Sequence, residues 1–404
     1  MNDYQHSAFS GYGIELEYMI VDREHLNVCA IADRLLAGAQ DMDVDRGDAA
    51  WSNELALHVL EMKTAGPKSD LGEAARIFRR EVNAAEALLA EHGAMLMPTG
   101  MHPWMDPLRE TRLWPHQNNE IYSAFDRIFS CKGPGWSNLQ SMHINLPFAT
   151  EDEFANLHAA CRIVLPLLPA VASSSPFWDG QRAPNLDQRL AVYQNNCKRV
   201  PSVTGQVIPE AVFSYEGYQQ LLQGIYRDIA PFDPTEVLQD EWLNARGAIA
   251  RFDRGAIEIR VIDTQECPEQ DLAIAFFTTQ LVKAIFDQAY LPRMNQRELT
   301  TALLSSQFQL AVQMAQDAPL LPAFAEAFCC TGTTLRELYA QLVERLIPHS
   351  SPFFAALDLI AREGTLAQRL TRATGSTPRR ETLLDLYRTL CECLARGSAF
   401  LPQT

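Results

Sequence analysis

No CxxC pair occurs among the nine irregularly spaced cysteines of this 404-residue chain, so a zinc knuckle has no ligand set to build on. Cys329-Cys330 and Cys391/Cys393 fall in helical-looking stretches and read as buried small hydrophobes. Reduced thiols and a cytoplasmic location are the default expectation. Basic charge is in short supply: 34 Lys+Arg stand against 50 Asp+Glu, a formal net charge of −16. A pI near 5.0 excludes a general nucleic-acid binder and a polybasic membrane anchor. A phosphate-bearing ligand stays allowed, because a bound metal ion can reverse the local charge. No long apolar run is present. Ile163 to Ala172 is broken by Pro166 and Pro169 and is too short to span a bilayer. Met1-Asn2-Asp3-Tyr4 has no basic n-region and no apolar h-region, so no secretory signal is expected. The nucleotide and hydrolase signatures GxxxxGK[ST], HExxH and GxSxG are all missing. Gly11-Tyr12-Gly13 lacks a third glycine and opens a strand, which argues against a dinucleotide fold.

What is present is an ordinary globular mix, 47% hydrophobic and 21% charged, long enough for two or three domains. Gly11–Asp22 alternates like a strand, and so does Leu139–Pro147. Trp51–Thr64 reads as one strand-like stretch and Ala94–Pro98 as a short strand. Leu71–Glu91 carries Ala75, Phe78, Val82, Ala85, Leu88 and Leu89 at helical spacing. Residues 98–115 hold four prolines and read as a long ordered loop. Asn118–Phe129, Asp152–Ala172 and Ser214–Ile229 read as helices. Arg246–Asp253 and Ala256–Asp263 form a predicted hairpin turning at Arg254-Gly255. From Pro268 onward the pattern is helical. Thr334 with Glu337 has capping-box spacing, and Pro378 suits the first turn of a last helix. The class is α+β, with a mainly antiparallel sheet and a helical C-terminal part.

Chemistry gathers on the strands. Glu15 and Glu17 share a strand face, roughly 7 Å apart at the base. Such carboxylates resist ionising together, and Mg²⁺ or Mn²⁺ with its oxygen ligands removes that penalty. A solvated edge-strand face is the alternative. Glu54 and Glu61 bracket an apolar stretch, but a spacing of seven puts them on opposite faces of one strand. They converge only if the strand is bulged, bent or broken; the alternative is that Lys63 simply pairs with Glu61 on the surface. His143 and Asn145 share one face of their strand. Glu258 and Arg260 share a face and offer a cation ligand beside an anion clamp, with Arg246, Arg251 and Arg254 just upstream. An ordinary cross-strand ion pair is the alternative there. Five carboxylates, a histidine and several arginines on four strands together predict a polymetal nucleotide site on the open face of a sheet.

The order GxExE, Glu–Glu stretch, strand histidine, IExR resembles the glutamine synthetase-like superfamily. Within it the chain looks most like the type-2 glutamate–cysteine ligase family of carboxylate–amine ligases. The matching segments are Gly13-Ile14-Glu15-Leu16-Glu17, Glu61-Met62-Lys63-Thr64, Gly100-Met101-His102-Pro103, His143-Ile144-Asn145, Ser174-Ser175-Pro176-Phe177-Trp178 and Gly255-Ala256-Ile257-Glu258-Ile259-Arg260. The resemblance implies a curved, mainly antiparallel sheet with helices on its outer face. It divides the chain into a catalytic part, 1–290, and a helical extension, 291–404. It implies ATP with two or three Mg²⁺ ions, Mn²⁺ being the alternative ion. By the same resemblance Glu15, Glu17, Glu54, Glu61 and Glu258 would be metal ligands, and His143 would hold a metal or the nucleotide phosphates. Arg260 would hold the transferring phosphoryl group, with Glu258 beside it in the catalytic set. Asn145, Arg246, Arg251 and Arg254 complete the expected nucleotide-binding set. Segment Gly180–Arg199 would shape the amino-acid pocket.

The reaction so implied joins a carboxylate, glutamate by default, to cysteine or another amine through an acyl phosphate. The expected partners are small amino acids and amines, with no nucleic acid and no membrane. Oligomerisation is left open, a homodimer being one option. Three rivals remain: phosphoryl transfer to a guanidino group, a non-catalytic nucleotide or metal sensor, and a structural protein with exposed strand carboxylates.

Overall fold

Alternation along β1 (Gly13–Asp22) sets the frame. Ile14, Leu16, Tyr18 and Ile20 are fully buried on one face, while Glu15 and Glu17 point the other way. Burying one such side chain contributes about 1.5–3 kcal/mol. A one-residue slip would trade that whole row for two carboxylates, so the register is strongly specified. This computed structural model describes residues 6–36 and 43–402. The N-terminal tetrapeptide, on which the expected lack of a secretory signal rests, lies outside the described residues.

The strands after β1 are β2 (Asp43–Asp45), β3 (Ala49–Asn53), β4 (Val59–Thr64), β5 (Ala94–Met97) and β6 (Ser141–Pro147). Two short ones, β7 (Phe177–Trp178) and β8 (Gln181–Arg182), pair only with each other, and β9 (Ala248–Arg251) and β10 (Ala256–Asp263) complete the set. Eight strands form one open sheet in the order β2-β3-β4-β1-β6-β10-β9, with β5 on the C-terminal half of β1. Every pairing in it is antiparallel.

Helices Leu71–Ala90, Glu151–Val164 and Pro268–Phe286 cover the apolar face and share one core with it. In the first of these the buried stripe runs through Ala74, Ile77, Phe78, Val82, Ala85 and Leu89, and Leu88 is exposed. The 290/291 boundary falls in the connector between helices ending at Phe286 and starting at Arg293. Later helices, with Phe308, Leu342 and Leu357, belong to that same core. The last helix, Arg380–Arg396, instead packs Leu383, Tyr387 and Leu390 against Met19, Val21 and Met97. Met19 and Val21 continue the parity of Glu15 and Glu17, so this helix covers the far end of the polar face.

Several local expectations change. Trp51–Thr64 is two strands joined by a turn, because Glu54–His58 breaks the ladder between β3 and β4. The Asp152–Ala172 helix stops at Val164 and continues as a 3₁₀ turn and a short helix, since Pro166 and Pro169 cannot donate to the ladder. The 98–115 loop contains one short helix, Pro107–Glu110, capped by Asp106. Pro378 lies ahead of its helix, whose cap is Arg379. Thr334 does accept from the Glu337 backbone N–H, but the Glu337 carboxylate reaches back to Thr333. Cys391 and Cys393 are buried as expected, whereas Cys329 is exposed just beyond a helix end and Cys330 is half-buried.

Candidate active site

Register brings the acidic strands together on the polar face. Glu17 pairs directly with Glu61, and Glu15 stands between Lys63 on β4 and His143 on β6. Asn145 pairs with both Gly13 and Glu258. The break after β3 removes the spacing problem at Glu54 and Glu61. Glu61 stays on β4, and Glu54 leaves the sheet at the turn and swings toward Glu17. Ligand atoms of Glu17, Glu54 and Glu61 lie within 4.8 Å of one another, as do those of Glu15, Glu61 and His143.

Hydrogen bonds fix the cluster. Glu15 accepts from His143 Nδ1 at 2.9 Å and from Asn145 at 3.1 Å, with Arg254 3.5 Å away. Glu17 accepts from the Ser141 N–H at 2.7 Å and from its hydroxyl at 3.1 Å. Ser52 donates to Glu61. Arg260 grips Glu258 through Nε at 3.0 Å and Nη2 at 2.5 Å, and Arg251 approaches its other oxygen at 3.4 Å. Arg246 stands apart. Its guanidinium is spent on Glu210, Asn244 and the Ser202 carbonyl, so the structure does not bring it to the cluster.

The electrostatics split the carboxylates. Burial, then the charge of Glu15, pushes Glu61 up to about 7. Burial with Glu17 and Glu61 nearby lifts Glu54 well above the carboxylate range. Burial also acts on Glu15, but the His143 hydrogen bond and the charges of His143, Arg254 and Lys63 overcome it and bring Glu15 down to about 2. Glu258 is lowered against its burial chiefly by Arg260. Burial works against a charged His143, yet the hydrogen bond to Glu15 and the charges of Glu17 and Glu258 raise it to about 9. The set thus holds protons on Glu54 and Glu61, where burial and neighbouring carboxylates outweigh the nearby positive charge, Lys63 standing 3.8 Å from Glu61. Oxygen donors with one imidazole form a donor set that suits a hard divalent cation, which would replace those protons.

The cluster separates two cavities. One, about 270 Å³, is bounded by Glu17, Ser141, Arg189 and Arg260 and runs on to Tyr122 and Trp136. The other, about 380 Å³, is bounded by Glu15, Lys63, Asn145 and Arg254, with Gly13 and Gly66 leaving room. Arg189, Lys63 and Ser141 were not singled out from sequence. Lys63 sits within a matched segment and Ser141 two residues before one, both at the parity of the acids, which is a usable signal. Arg189 lies within Gly180–Arg199, the segment expected to shape the amino-acid pocket, but no motif marks it, because a buried node of distant segments positions it. Asp263 accepts from Arg189 Nε at 2.5 Å, from Ser175 Oγ at 2.7 Å and from the Ser174 N–H at 2.9 Å. The Gly100 N–H donates to Ser174 Oγ at 2.8 Å. Two matched segments without any clustered carboxylate therefore serve as brackets for this arginine, whose Nη2 has no hydrogen-bond partner among the described residues.

A bulge makes that node possible. Ile259 pairs with Ile144 but Ile262 with Met142, so Arg260 and Val261 together oppose His143. The strand changes phase there, and Asp263 comes opposite Ser141 instead of entering the apolar layer.

The sequence profile described as "Glutamate-cysteine ligase family 2 (GCS2)" matches residues 12–389. A protein of Archaeoglobus fulgidus named only as uncharacterized is 32% identical over 392 residues, 96% of this chain and 100% of the relative. A Herpetosiphon aurantiacus protein named "Putative glutamate--cysteine ligase 2" is 23% identical, over 92% of this chain and 91% of its own length. Among solved structures, the complex of prokaryotic ubiquitin-like protein Pup with its ligase PafA aligns at a TM-score of 0.43 and 13% identity. That alignment takes in 97% of this chain but only 65% of the neighbour's. The class is that of the carboxylate–amine ligases. The chain belongs to glutamate–cysteine ligase family 2.

Proposed function

We propose that the protein is an ATP- and Mg²⁺-dependent ligase that forms an amide through an acyl phosphate, with glutamate as the default acid and cysteine or another amine as acceptor. The observation that carries this reading is the convergence of Glu15, Glu17, Glu54, Glu61 and His143, whose ligand atoms form two groups each close enough to hold a cation, with Glu258 3.9 Å from His143. A carboxylate is a poor acyl donor, since its leaving group would be oxide. Transfer of the ATP γ-phosphoryl group to a carboxylate oxygen releases ADP and supplies a phosphate leaving group. The neutral amine nitrogen then forms the C–N bond, the C–O bond to phosphate breaks, and phosphate departs with the electron pair while the nitrogen gives up one proton to it or to water.

Bound divalent cations would offset charge developing on the phosphates. Glu15, Glu17, Glu54, Glu61 and Glu258 would hold them, with His143 binding a cation or the phosphates. The chain's own contribution is placement. Asp263 and Glu258 hold Arg189 and Arg260 toward the smaller cavity, which suits the acid and the amine. Lys63, Asn145 and Arg254 give the larger cavity the charge to take the nucleotide. Arg260 is read as the clamp for the transferring phosphoryl group, and Arg251 as its neighbour that keeps Glu258 ionised. Arg246 is read as a structural residue. Residues 291–404 are read as an extension that buttresses the catalytic part, 1–290.

The test is phosphate release across acid–amine pairs with product mass spectrometry. Glu258→Gln and Arg260→Ala should each lower ATP turnover by about 10²-fold or more, with circular dichroism unchanged. Normal turnover in both variants, or a phosphorylated guanidine without amide, would rule the reading out.

A further inference from the structure

The smaller cavity continues well beyond the carboxylates, and its far wall is aromatic. Phe125 meets Trp136 at 5.1 Å between ring centroids and Trp242 at 5.8 Å. Tyr122, Trp136 and Trp242 are only half-buried, so they present ring surface to the cavity and are not sealed in the core. Leu55 and Val59, supplied by the turn after β3, complete the wall next to Glu54. The cationic groups sort to the other end. Among the described residues no lysine lines this cavity, and Arg189, Arg260 and His143 stand at the sheet, the arginines held by Asp263 and Glu258. An amino-acid acceptor such as cysteine would bring its own carboxylate into the aromatic half, where no cation answers it. A hydrocarbon group would fill that half, and an ammonium arriving there meets ring faces.

We propose that the amine partner carries an aromatic or branched hydrocarbon group and no carboxylate, and that Phe125, Trp136 and Trp242 select it. This rests on the ligase reading above and narrows its substrate class.

The experiment has two arms. Calorimetric binding of phenethylamine and of cysteine is measured on protein free of nucleotide and metal. Glutamate-dependent phosphate release is measured with Mg-ATP and each amine. Phenethylamine should bind the free protein and give kcat/KM at least about tenfold above cysteine. Trp136→Ala and Phe125→Leu should each lower that preference by about tenfold while circular dichroism stays unchanged. Phosphate release with cysteine preferred overturns the proposal and leaves the ligase reading standing. Phenethylamine binding that both variants leave intact also overturns it. Binding that is lost in Trp136→Ala, with no phosphate release for any amine, supports the aromatic amine site and removes the ligase reading.

Discussion

Glu61 and His143 show how one residue's surroundings set its protonation. The folded chain keeps a proton on Glu61 up to about pH 7, against an ordinary 4.5. It keeps one on His143 up to about 9, against 6.5. Across both windows the folded state binds more protons than the unfolded one, so stability falls as pH rises. Glu15 acts oppositely, but its contribution is present above 4.5 and lost only as pH falls toward about 2. The metal-free protein should therefore melt at a lower temperature at pH 9 than at pH 6, and Glu61→Gln should flatten the part below pH 7. Added Mg²⁺ should raise the melting temperature more at pH 8 than at pH 6, because the cation competes with those protons. Differential scanning fluorimetry across a pH series checks all three. Gly100 is a second residue set by its neighbour. A Cβ there would lie 2.5 Å from Asp263 Cγ. Gly100→Ala should cost about 1–3 kcal/mol in urea unfolding, as overpacking does, and should disturb Arg189 through the same node.

At the scale of elements, much of the site is legible from alternation alone. Glu15, Glu17, His143, Asn145 and Glu258 reach one face because the residues between them are apolar. Two departures from strict alternation hide the rest. The turn after β3 lets Glu54 and Glu61 converge despite their spacing, and no parity rule locates such a turn. The bulge at Arg260-Val261 reverses the phase that would have sent Asp263 into the core. Arg246 failed for a different reason: its position near the hairpin is visible in sequence, but Glu210, which captures it, is remote. The bulge gives a direct expectation. Deleting Val261 should remove the bulge and restore strict alternation, with Arg260 alone opposite His143 and Ile262 and Asp263 on their present faces, so the protein should stay soluble and folded by size-exclusion chromatography.

For the molecule as a whole, the net charge of −16 is not spread evenly in effect. The clustered acids belong to the site, while most of the remainder keeps the surface hydrated. Among the described residues no helix is long and apolar enough to cross a membrane. The sheet face has its C-terminal end closed by the last helix, which leaves the two cavities as the approaches to the cluster.

That arrangement of two approaches bears on the order of events in a catalytic cycle. If the nucleotide enters by Lys63 and Arg254 and the acceptor by Trp136, neither blocks the other's path. Addition should then be unordered, with intersecting initial-velocity patterns for ATP and amine. ADP should inhibit competitively against ATP but not against amine, and the amide should be free to leave while ADP is still bound.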